Sequence, residues 1–166
     1  LREGINLKEA SEADIEAAMV GLNRINNSAG GEKASVLRAE LQTIMQNYFG
    51  VFRRGDFMKE GIDKLNALRP RIENVALEDK SNAFNTARIE ALELQNLFAT
   101  AEATAIAAEG RTESRGAHAR EDFQERDDEN WLCHSVYFPE SKTLGKRGVN
   151  FTLKTREAFE PKIRTY

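Results

Sequence analysis

The sequence predicts a mainly α-helical protein, in which an antiparallel helical bundle is followed by an extended arm and a small β-hairpin. Apolar residues recur at helical spacing through most of residues 12–110. The last part of that range is rich in Ala, Leu and Glu and contains no proline, which favours a long helix. After Gly110 the helical pattern stops, and aromatic and β-branched residues cluster instead. We therefore expect a bundle over residues 1–110, and an arm, hairpin and tail over residues 111–166.

The first helix is predicted to begin after Ser11, whose side chain can cap it, with Asp14 in the favourable first turn. The glycine-containing stretch 26–31 should end it. One face of this helix carries the apolar residues that we expect to be buried: Ile15, Ala18, Met19, Leu22 and Ile25.

Two further helices follow, one from about Glu32 to Tyr48 and one capped by Asp56. Pro70 falls inside the third helix, so we expect a kink or an early end there. The expected buried stripe of the second helix is Leu37, Leu41, Ile44, Met45 and Tyr48, continued by Phe49, Val51 and Phe52. The expected stripe of the third is Phe57, Ile62, Leu65, Leu68 and Ile72.

The fourth helix is predicted from about Asn85 to Gly110, a glycine being a common helix end. Apolar residues surround much of its circumference, which indicates a central helix with neighbours on two sides. Short connections between the helices favour antiparallel packing. One side carries Ile89, Leu92, Asn96, Ala99, Ala103 and Ile106, and the others carry Leu94, Leu97, Phe98 and Ala101.

The C-terminal part contains an arm, a hairpin and a basic tail. Residues 111–130 hold four arginines and seven acids and cannot bury an apolar face of their own. We expect hairpin strands at Trp131–Phe138 and Val149–Leu153, with a turn near Gly145. Because an isolated hairpin is marginal in water, it must pack on the bundle or on an absent element. The tail, 141–166, carries seven Lys or Arg against two Glu, which indicates either solvated charge or docking on an acidic partner.

Composition and motifs narrow the function. The net charge of −3 gives no reason to expect nucleic acid, and no apolar run reaches the roughly 18 residues of a membrane span. A single cysteine, Cys133, excludes an intramolecular disulfide and a cysteine zinc site. No G-x-G-x-x-G, P-loop or G-x-S-x-G motif occurs.

Cys133 and His134, near Asp127, could be interpreted as a metal site or as a thiol–base pair. Adjacent residues on a strand point to opposite faces, however, so the two side chains would not converge. This favours a small buried thiol beside a surface imidazole.

The arm holds the candidate functional residues. Planar arginine side chains can meet carboxylates and carbonyls across an interface, so the arm is a docking segment or, alternatively, a solvated linker. His118 and Glu113 could act as acid or base only with a substrate pocket, which the sequence does not supply. The docking candidates are Arg111, Glu113, Ser114, Arg115, His118, Arg120, Asp122 and, in the tail, Arg164.

The run Arg111-Thr112-Glu113-Ser114-Arg115-Gly116-Ala117-His118-Ala119-Arg120, followed by Asp122-Phe123 and the RDDENWLCHS stretch from Arg126 to Ser135, closely resembles the C-terminal region of bacterial succinate dehydrogenase flavoproteins. The final Pro161–Tyr166 looks like the natural end of that subunit. Fumarate reductase flavoproteins and L-aspartate oxidases have similar ESRG-type runs, and the RDDENWLCHS continuation favours succinate dehydrogenase. Gln124 and Glu160 stand where that family usually has proline, which affects only the stiffness of those turns.

The resemblance implies a parent oxidoreductase that converts succinate to fumarate on covalently attached FAD and passes electrons to an iron–sulfur subunit and to quinone. It implies that the flavin and substrate sites lie upstream of Leu1, so we expect no catalytic residue, cofactor or metal site on this chain. Expected partners are the FAD domain of the same subunit, the iron–sulfur subunit and a flavinylation assembly factor. The expected location is the cytoplasmic face of the bacterial inner membrane, without a direct membrane span. The resemblance favours the docking interpretation of the arm.

Alternatives remain at this point. The chain could be the matching region of a fumarate reductase flavoprotein, or a free-standing helical interaction module. Leu1-Arg2-Glu3-Gly4 lacks an initiator methionine and the features of a signal peptide, which predicts a cut inside a longer protein, with a tag-cleaved complete protein as the alternative.

Overall fold

A computed structural model describes residues 8–152 together with Thr155, Glu157 and Lys162. Within this part of the chain the fold is mainly α-helical, as the sequence predicts. The elements in chain order are α1 (Glu12–Asn26), α2 (Ala34–Phe49), β1 (Phe52–Arg53), α3 (Gly55–Glu73), α4 (Thr86–Gly110), β2 (Ala119–Arg120), α5 (Asp128–Trp131), β3 (Cys133–Phe138) and β4 (Thr143–Gly148).

Helices α2, α3 and α4 pack against one another around a single apolar core. Helix α4 lies at the centre, because it also contacts α1 and both strands of the hairpin, which confirms the predicted central helix. Its side chains in the core are Ala91, Leu94, Phe98, Ala101, Ala105 and Ala108. They do not include the residues of the predicted side that contains Ile89, and Ile89 itself is 54% exposed. Small alanines let neighbouring backbones approach closely, so packing selects this face over the bulkier one.

Helix α1 has the predicted cap but not the predicted burial. The Ser11 side chain accepts a hydrogen bond from the Asp14 backbone, and Asp14 bonds back, which forms a capping box. Only Ile25 is buried, whereas Ile15 and Met19 are largely exposed. The expected buried stripe is therefore wrong, since among the named elements α1 makes its main contacts with α4 alone.

Helix α3 tolerates its internal proline. The helix begins at Gly55, one residue before the predicted cap, and continues for three residues past Pro70 to Glu73. A proline in the last turn removes one hydrogen bond, and the Pro70 carbonyl still accepts from the Asn74 backbone at 3.1 Å. The predicted early end at Pro70 is therefore wrong.

The hairpin is formed by β3 and β4, with Val136 opposite Gly145 and Phe138 opposite Thr143. The predicted second strand, Val149–Leu153, is wrong in its described part, residues 149–152, and Gly145 lies within β4 rather than in a turn. A glycine fits there because a Cβ would lie 2.9 Å from the Phe138 ring. The hairpin packs on α4. Leu144 of the hairpin lies close to Gly110 of α4, where a Cβ on the glycine would lie 2.5 Å from the leucine side chain.

The three core helices alternate in direction and define two ends of the bundle. The arm end contains the last turn of α2, the first of α3 and the last of α4. The loop end contains the first turn of α2, the last of α3 and the first of α4, and a bridge between Lys33 and Ala76 joins two of its loops. Helix α4 has 25 residues, so the two ends are about 37 Å apart. Within the described residues, no helix is long and apolar enough to cross a bilayer.

Candidate functional site

The arm that follows α4 folds back over the arm end of the bundle. Strand β2 pairs in parallel with β1, so that Phe52 lies opposite Ala119 and Arg53 opposite Arg120. The Glu121 backbone then donates to the Arg53 carbonyl at 2.8 Å. The chain thereby brings seven of the eight docking candidates together at one end of its own bundle. The eighth, Arg164, lies outside the described residues.

Arg120 caps the C-terminal end of α4 and is only 3% exposed. Its Nη1 donates to the carbonyls of Ala108, Glu109 and Arg111, at 3.3, 2.9 and 3.1 Å. These are carbonyls that a helix end leaves without intrahelical partners, and a cation is favoured there by the helix dipole. The arm therefore supplies the cap that the helix itself lacks.

Asp122 balances the charge of Arg120. Both carboxylate oxygens accept from the guanidinium, at 2.7 and 2.8 Å, and one also accepts from the Gly55 backbone at 3.0 Å. The Arg120 guanidinium holds the pKa of Asp122 far below its ordinary value, and the Gly55 N–H adds to this while partial burial opposes it. A Cβ at Gly55 would lie 2.9 Å from the carboxylate, so a larger residue at the start of α3 would displace this ion pair.

Glu113 is fully buried beneath two arginines. Arg115 donates to both carboxylate oxygens at 2.8 and 2.9 Å, Arg111 donates to one, and the Asp127 backbone donates to the other at 2.9 Å. Burial raises the pKa of Glu113, but the bonds from Arg115, the Asp127 backbone and Arg111 together outweigh it and hold the pKa below its ordinary value. A carboxylate so saturated with donors serves as a structural anion rather than as a free base.

Two bonds of Ser114 close the arm into a compact loop, and Arg111 joins the arm to the hairpin. The Ser114 hydroxyl accepts from the Arg120 backbone at 2.8 Å and donates to the Phe123 carbonyl at 2.8 Å. Arg111 donates to the Trp131 carbonyl at 3.0 Å and to the Cys133 carbonyl, and its guanidinium lies over the Trp131 ring. The arm is thus ordered by its own bundle and hairpin.

His118 lies between the Arg53 side chain and the Arg111 carbonyl. Arg53 donates to its Nδ1 at 2.8 Å, so the ring proton is on Nε2, which donates to the Arg111 carbonyl at 3.1 Å. Burial lowers the pKa of His118, and the charges of Arg53, Arg120 and Arg111 lower it further, although the carbonyl bond opposes this. The structure therefore keeps this imidazole neutral, with both nitrogens occupied.

Arg53 is a functional residue that sequence reasoning missed. Besides bonding His118, it donates to the carbonyls of Phe49 and Gly50 at the end of α2, at 3.1 to 3.3 Å. The available signal was an arginine placed three residues after the glycine that ends a helix. Two arginines, Arg53 and Arg120, therefore cap two helices at the same end of the bundle.

The outer surface of the arm end is apolar in part. Phe52 is 76% exposed and borders a shallow groove formed with Ala119, Glu121 and Gln124. Within the described residues, no group of three or more His, Cys, Asp or Glu side chains could hold a metal ion. The saturated hydrogen bonds of Glu113 and His118 are suited to holding this surface in shape.

Comparisons with known proteins are consistent across the chain. The family model described as "Fumarate reductase flavoprotein C-term" matches residues 38–166. A succinate dehydrogenase flavoprotein subunit of Coxiella burnetii is 46% identical over 160 residues, which cover 95% of this chain and 27% of that protein. A fumarate reductase flavoprotein subunit of Haemophilus influenzae is 34% identical over 131 residues, covering 79% and 22%.

Solved structures show the same fold. An E. coli quinol fumarate reductase chain superposes with a TM-score of 0.75 at 34% identity, and the match covers 92% of this chain and 27% of that one. An adenylylsulfate reductase of Archaeoglobus fulgidus, at 22% identity and a TM-score of 0.69, shares the fold alone. The chain spans about a quarter of the length of the relatives it matches.

Proposed function

We propose that this chain, which belongs to the succinate dehydrogenase/fumarate reductase flavoprotein family, is the C-terminal structural and assembly region of a succinate dehydrogenase flavoprotein subunit. The family model that it matches describes the C-terminal region of these flavoproteins. In this proposal the parent subunit oxidises succinate to fumarate and passes electrons through an iron–sulfur subunit to quinone. Residues 1–110 form its helical domain and residues 111–166 its arm, hairpin and tail. A fumarate reductase flavoprotein is the second candidate, supported by the Haemophilus and E. coli matches. The higher identity of the Coxiella succinate dehydrogenase favours the first.

The cofactor of the proposed parent is FAD attached covalently to a histidine. A dinucleotide site needs a strand that leads through a glycine-rich turn into a helix N-terminus. In the described part of the chain the strands form two separate pairs, and no G-x-G-x-x-G turn follows any of them. The residues present therefore do not fit this cofactor, so we place the flavin and substrate sites in the remainder of the subunit and treat the isolated chain as inactive.

The observation that carries the docking part of the proposal is the self-contained arm network. Because Arg111, Glu113, Arg115 and Arg120 are satisfied within the chain, the arm presents a preformed surface to a partner rather than ordering on contact. We assign that partner as the FAD domain of the same subunit. The docking surface comprises the exposed parts of Arg111, Ser114, Arg115, His118 and Asp122, with Arg164 of the tail. The buried Glu113 and Arg120 hold this surface in shape from beneath.

The iron–sulfur subunit and a flavinylation assembly factor are the further partners in this proposal, and the parent is peripheral to the cytoplasmic face of the bacterial inner membrane. The relatives named as quinol fumarate reductase are consistent with such an assembly. Nucleic acid has no place in it, given the net charge of −3.

An antibody raised against this chain tests the proposal in the source cells. It should detect, in the membrane fraction, a protein of about four times the 18.7 kDa mass of the chain, carrying covalent flavin fluorescence. The rates of succinate-dependent dye reduction and of quinol-dependent fumarate reduction by the protein that this antibody captures separate the two candidates. The first rate should be the higher for a succinate dehydrogenase and the second for a fumarate reductase. A band at the mass of the chain alone would contradict the proposal.

A further inference from the structure

Phe84 stands out at the loop end of the bundle. Its side chain is 103% exposed, more than any other large apolar residue of the described chain, and its φ is +50°. A left-handed φ is uncommon for residues other than glycine, and for a bulky residue it strains the backbone. A fully exposed aromatic ring in a strained backbone contributes nothing to the stability of this chain.

The loop that carries Phe84 is held firmly. The side-chain nitrogen of Asn85, a residue that is 8% exposed, donates to the carbonyls of Asp79 and Ser81 at 2.7 and 3.0 Å. Its oxygen accepts from the Arg88 backbone at 2.8 Å and so caps α4. Lys80 donates to the Ser28 carbonyl at 2.9 Å, which joins the loop to the end of α1. The ring is therefore presented in one direction by an ordered segment.

The neighbours of Phe84 resemble the edge of an interface. Ile89, which borders the same shallow groove, is 54% exposed. Arg88 also lines it, and its Nε is buried without a hydrogen-bond partner in the described structure. Its other contacts, to Asn82 Oδ1 and the Lys80 carbonyl, are long at 3.4 and 3.5 Å. Because Nε is buried, a partner would bond the two terminal nitrogens, whose long contacts leave them capacity for a carboxylate or carbonyl. An aromatic ring beside an arginine is typical of an interface hot spot.

We infer that Phe84 is an anchor that inserts into an apolar pocket on the remainder of the flavoprotein subunit, where an acceptor at the pocket rim bonds Arg88. This rests on the proposed function, because it requires the larger subunit. The anchor is about 37 Å from the arm, at the other end of α4, so it forms a second and separate contact.

The size of the surface favours a covalently attached partner. One phenylalanine buries about 150–250 Å², and half of an isoleucine adds little. A stable complex between free chains buries about 800 Å² on each partner. A tethered partner needs much less, since its effective concentration is in the millimolar range. The relatives are about four times longer than this chain, which leaves a body large enough to contact both ends of the bundle.

Phe84→Asn tests the anchor because it should change the melting temperature of the isolated chain and that of the full-length subunit in opposite directions. Asparagine adopts left-handed backbone more readily, so the isolated chain should melt at the same or a higher temperature. In the full-length subunit the same change should lower the melting temperature by about 2–4 °C or more and speed proteolytic release of the C-terminal region about tenfold. Lys142→Asn is the matched control, because Lys142 also has a left-handed φ, of +53°, at an exposed hairpin turn. It should act equally in both proteins.

Other outcomes overturn the inference. If Phe84→Asn behaves like Lys142→Asn in the full-length subunit, Phe84 has no pocket there. If it leaves the subunit intact but removes the iron–sulfur subunit in gel filtration, the pocket belongs to another chain. If the isolated chain forms dimers that Phe84→Asn abolishes, the pocket is on a second copy. Failure of the proposed function is distinct, since the source cells would then contain no protein of the larger mass.

Discussion

Arg120 and Asp122 form a bidentate ion pair, in which Nε and Nη2 of the arginine donate to the two carboxylate oxygens at 2.7 and 2.8 Å. The third nitrogen of the same guanidinium caps α4, and the same carboxylate holds the first residue of α3. Two residues of the arm therefore join the end of one core helix to the beginning of another.

Arg120→Ala should destabilise the isolated chain by about 3 kcal/mol, the lower part of the range for breaking a buried ion pair, because Asp122 is partly exposed. The change also leaves carbonyls of α4 without a partner. Urea denaturation measures the loss. Arg147→Ala, at an exposed position of β4, is the control and should cost less than about 0.5 kcal/mol. Equal effects of the two substitutions would show that the ion pair does not hold the arm.

Arg115→Ala tests the docking proposal. In the isolated chain we expect a loss of about 1.5–3 kcal/mol, because the buried Glu113 loses two charged hydrogen bonds but keeps those from Arg111 and Asp127. If the outer face of the arm docks on the FAD domain, the full-length subunit should lose more and attach less flavin. Thermal melts and covalent flavin content, measured on both proteins, decide this. An equal loss in both would mean that Arg115 acts only within the chain.

His118 should make the stability of the chain fall as the pH drops below about 6.5. Its pKa is lowered in the folded state, mainly by burial, so the unfolded chain binds the proton more readily. The stabilising contribution is therefore fully present above the ordinary histidine pKa and is lost as the pH falls from there through the lower folded-state pKa. Urea denaturation across this range should show a decline that His118→Gln removes and that His134→Gln, at an exposed position, retains. A decline that both variants retain would place its origin elsewhere.

Leu94→Ala should cost on the order of 2–5 kcal/mol, because this side chain of the central helix is fully buried. Leu92 packs against the core but is only partly buried, so Leu92→Ala should cost less. Leu97, which is 41% exposed, provides the control on the same helix. Guanidinium denaturation should rank the three in that order, and a larger loss at Leu97 would reverse the orientation of α4.

The purified chain should bind no flavin and oxidise no succinate, because it contains no dinucleotide-binding turn in its sequence. A visible absorption spectrum after incubation with FAD, followed by dialysis, measures binding, and a succinate-dependent dye-reduction assay measures activity. The full-length subunit is the positive control in both. Flavin retained in stoichiometric amount by the chain would contradict the placement of the cofactor elsewhere.

Much of the local structure could be predicted. Ser11 and Asn85 were recognisable as positions where helices begin, and Gly110 as the end of α4, because caps depend on residues within one turn. The arm was harder. Its charges were identified as candidates for contact, but Gly55, which bonds Asp122, is 67 residues away. The α4 carbonyls that Arg120 bonds are ordinary backbone groups, which no sequence pattern marks.

The sequence by itself determined the helices, the mainly α-helical class and the family, since these depend on short-range periodicity, capping and motif. Only the tertiary structure decided which face of α4 is buried. Apolar side chains surround that helix, and the face that packs against the neighbouring helices is the one rich in alanine. It also placed Gly145 inside a strand, where the ring of Phe138 leaves no room for a side chain. The arm shows the same division: its sequence has no apolar face, so nothing local orders it, and it folds because Arg120 and Arg53 find unpaired carbonyls at helix ends that only the assembled bundle brings together.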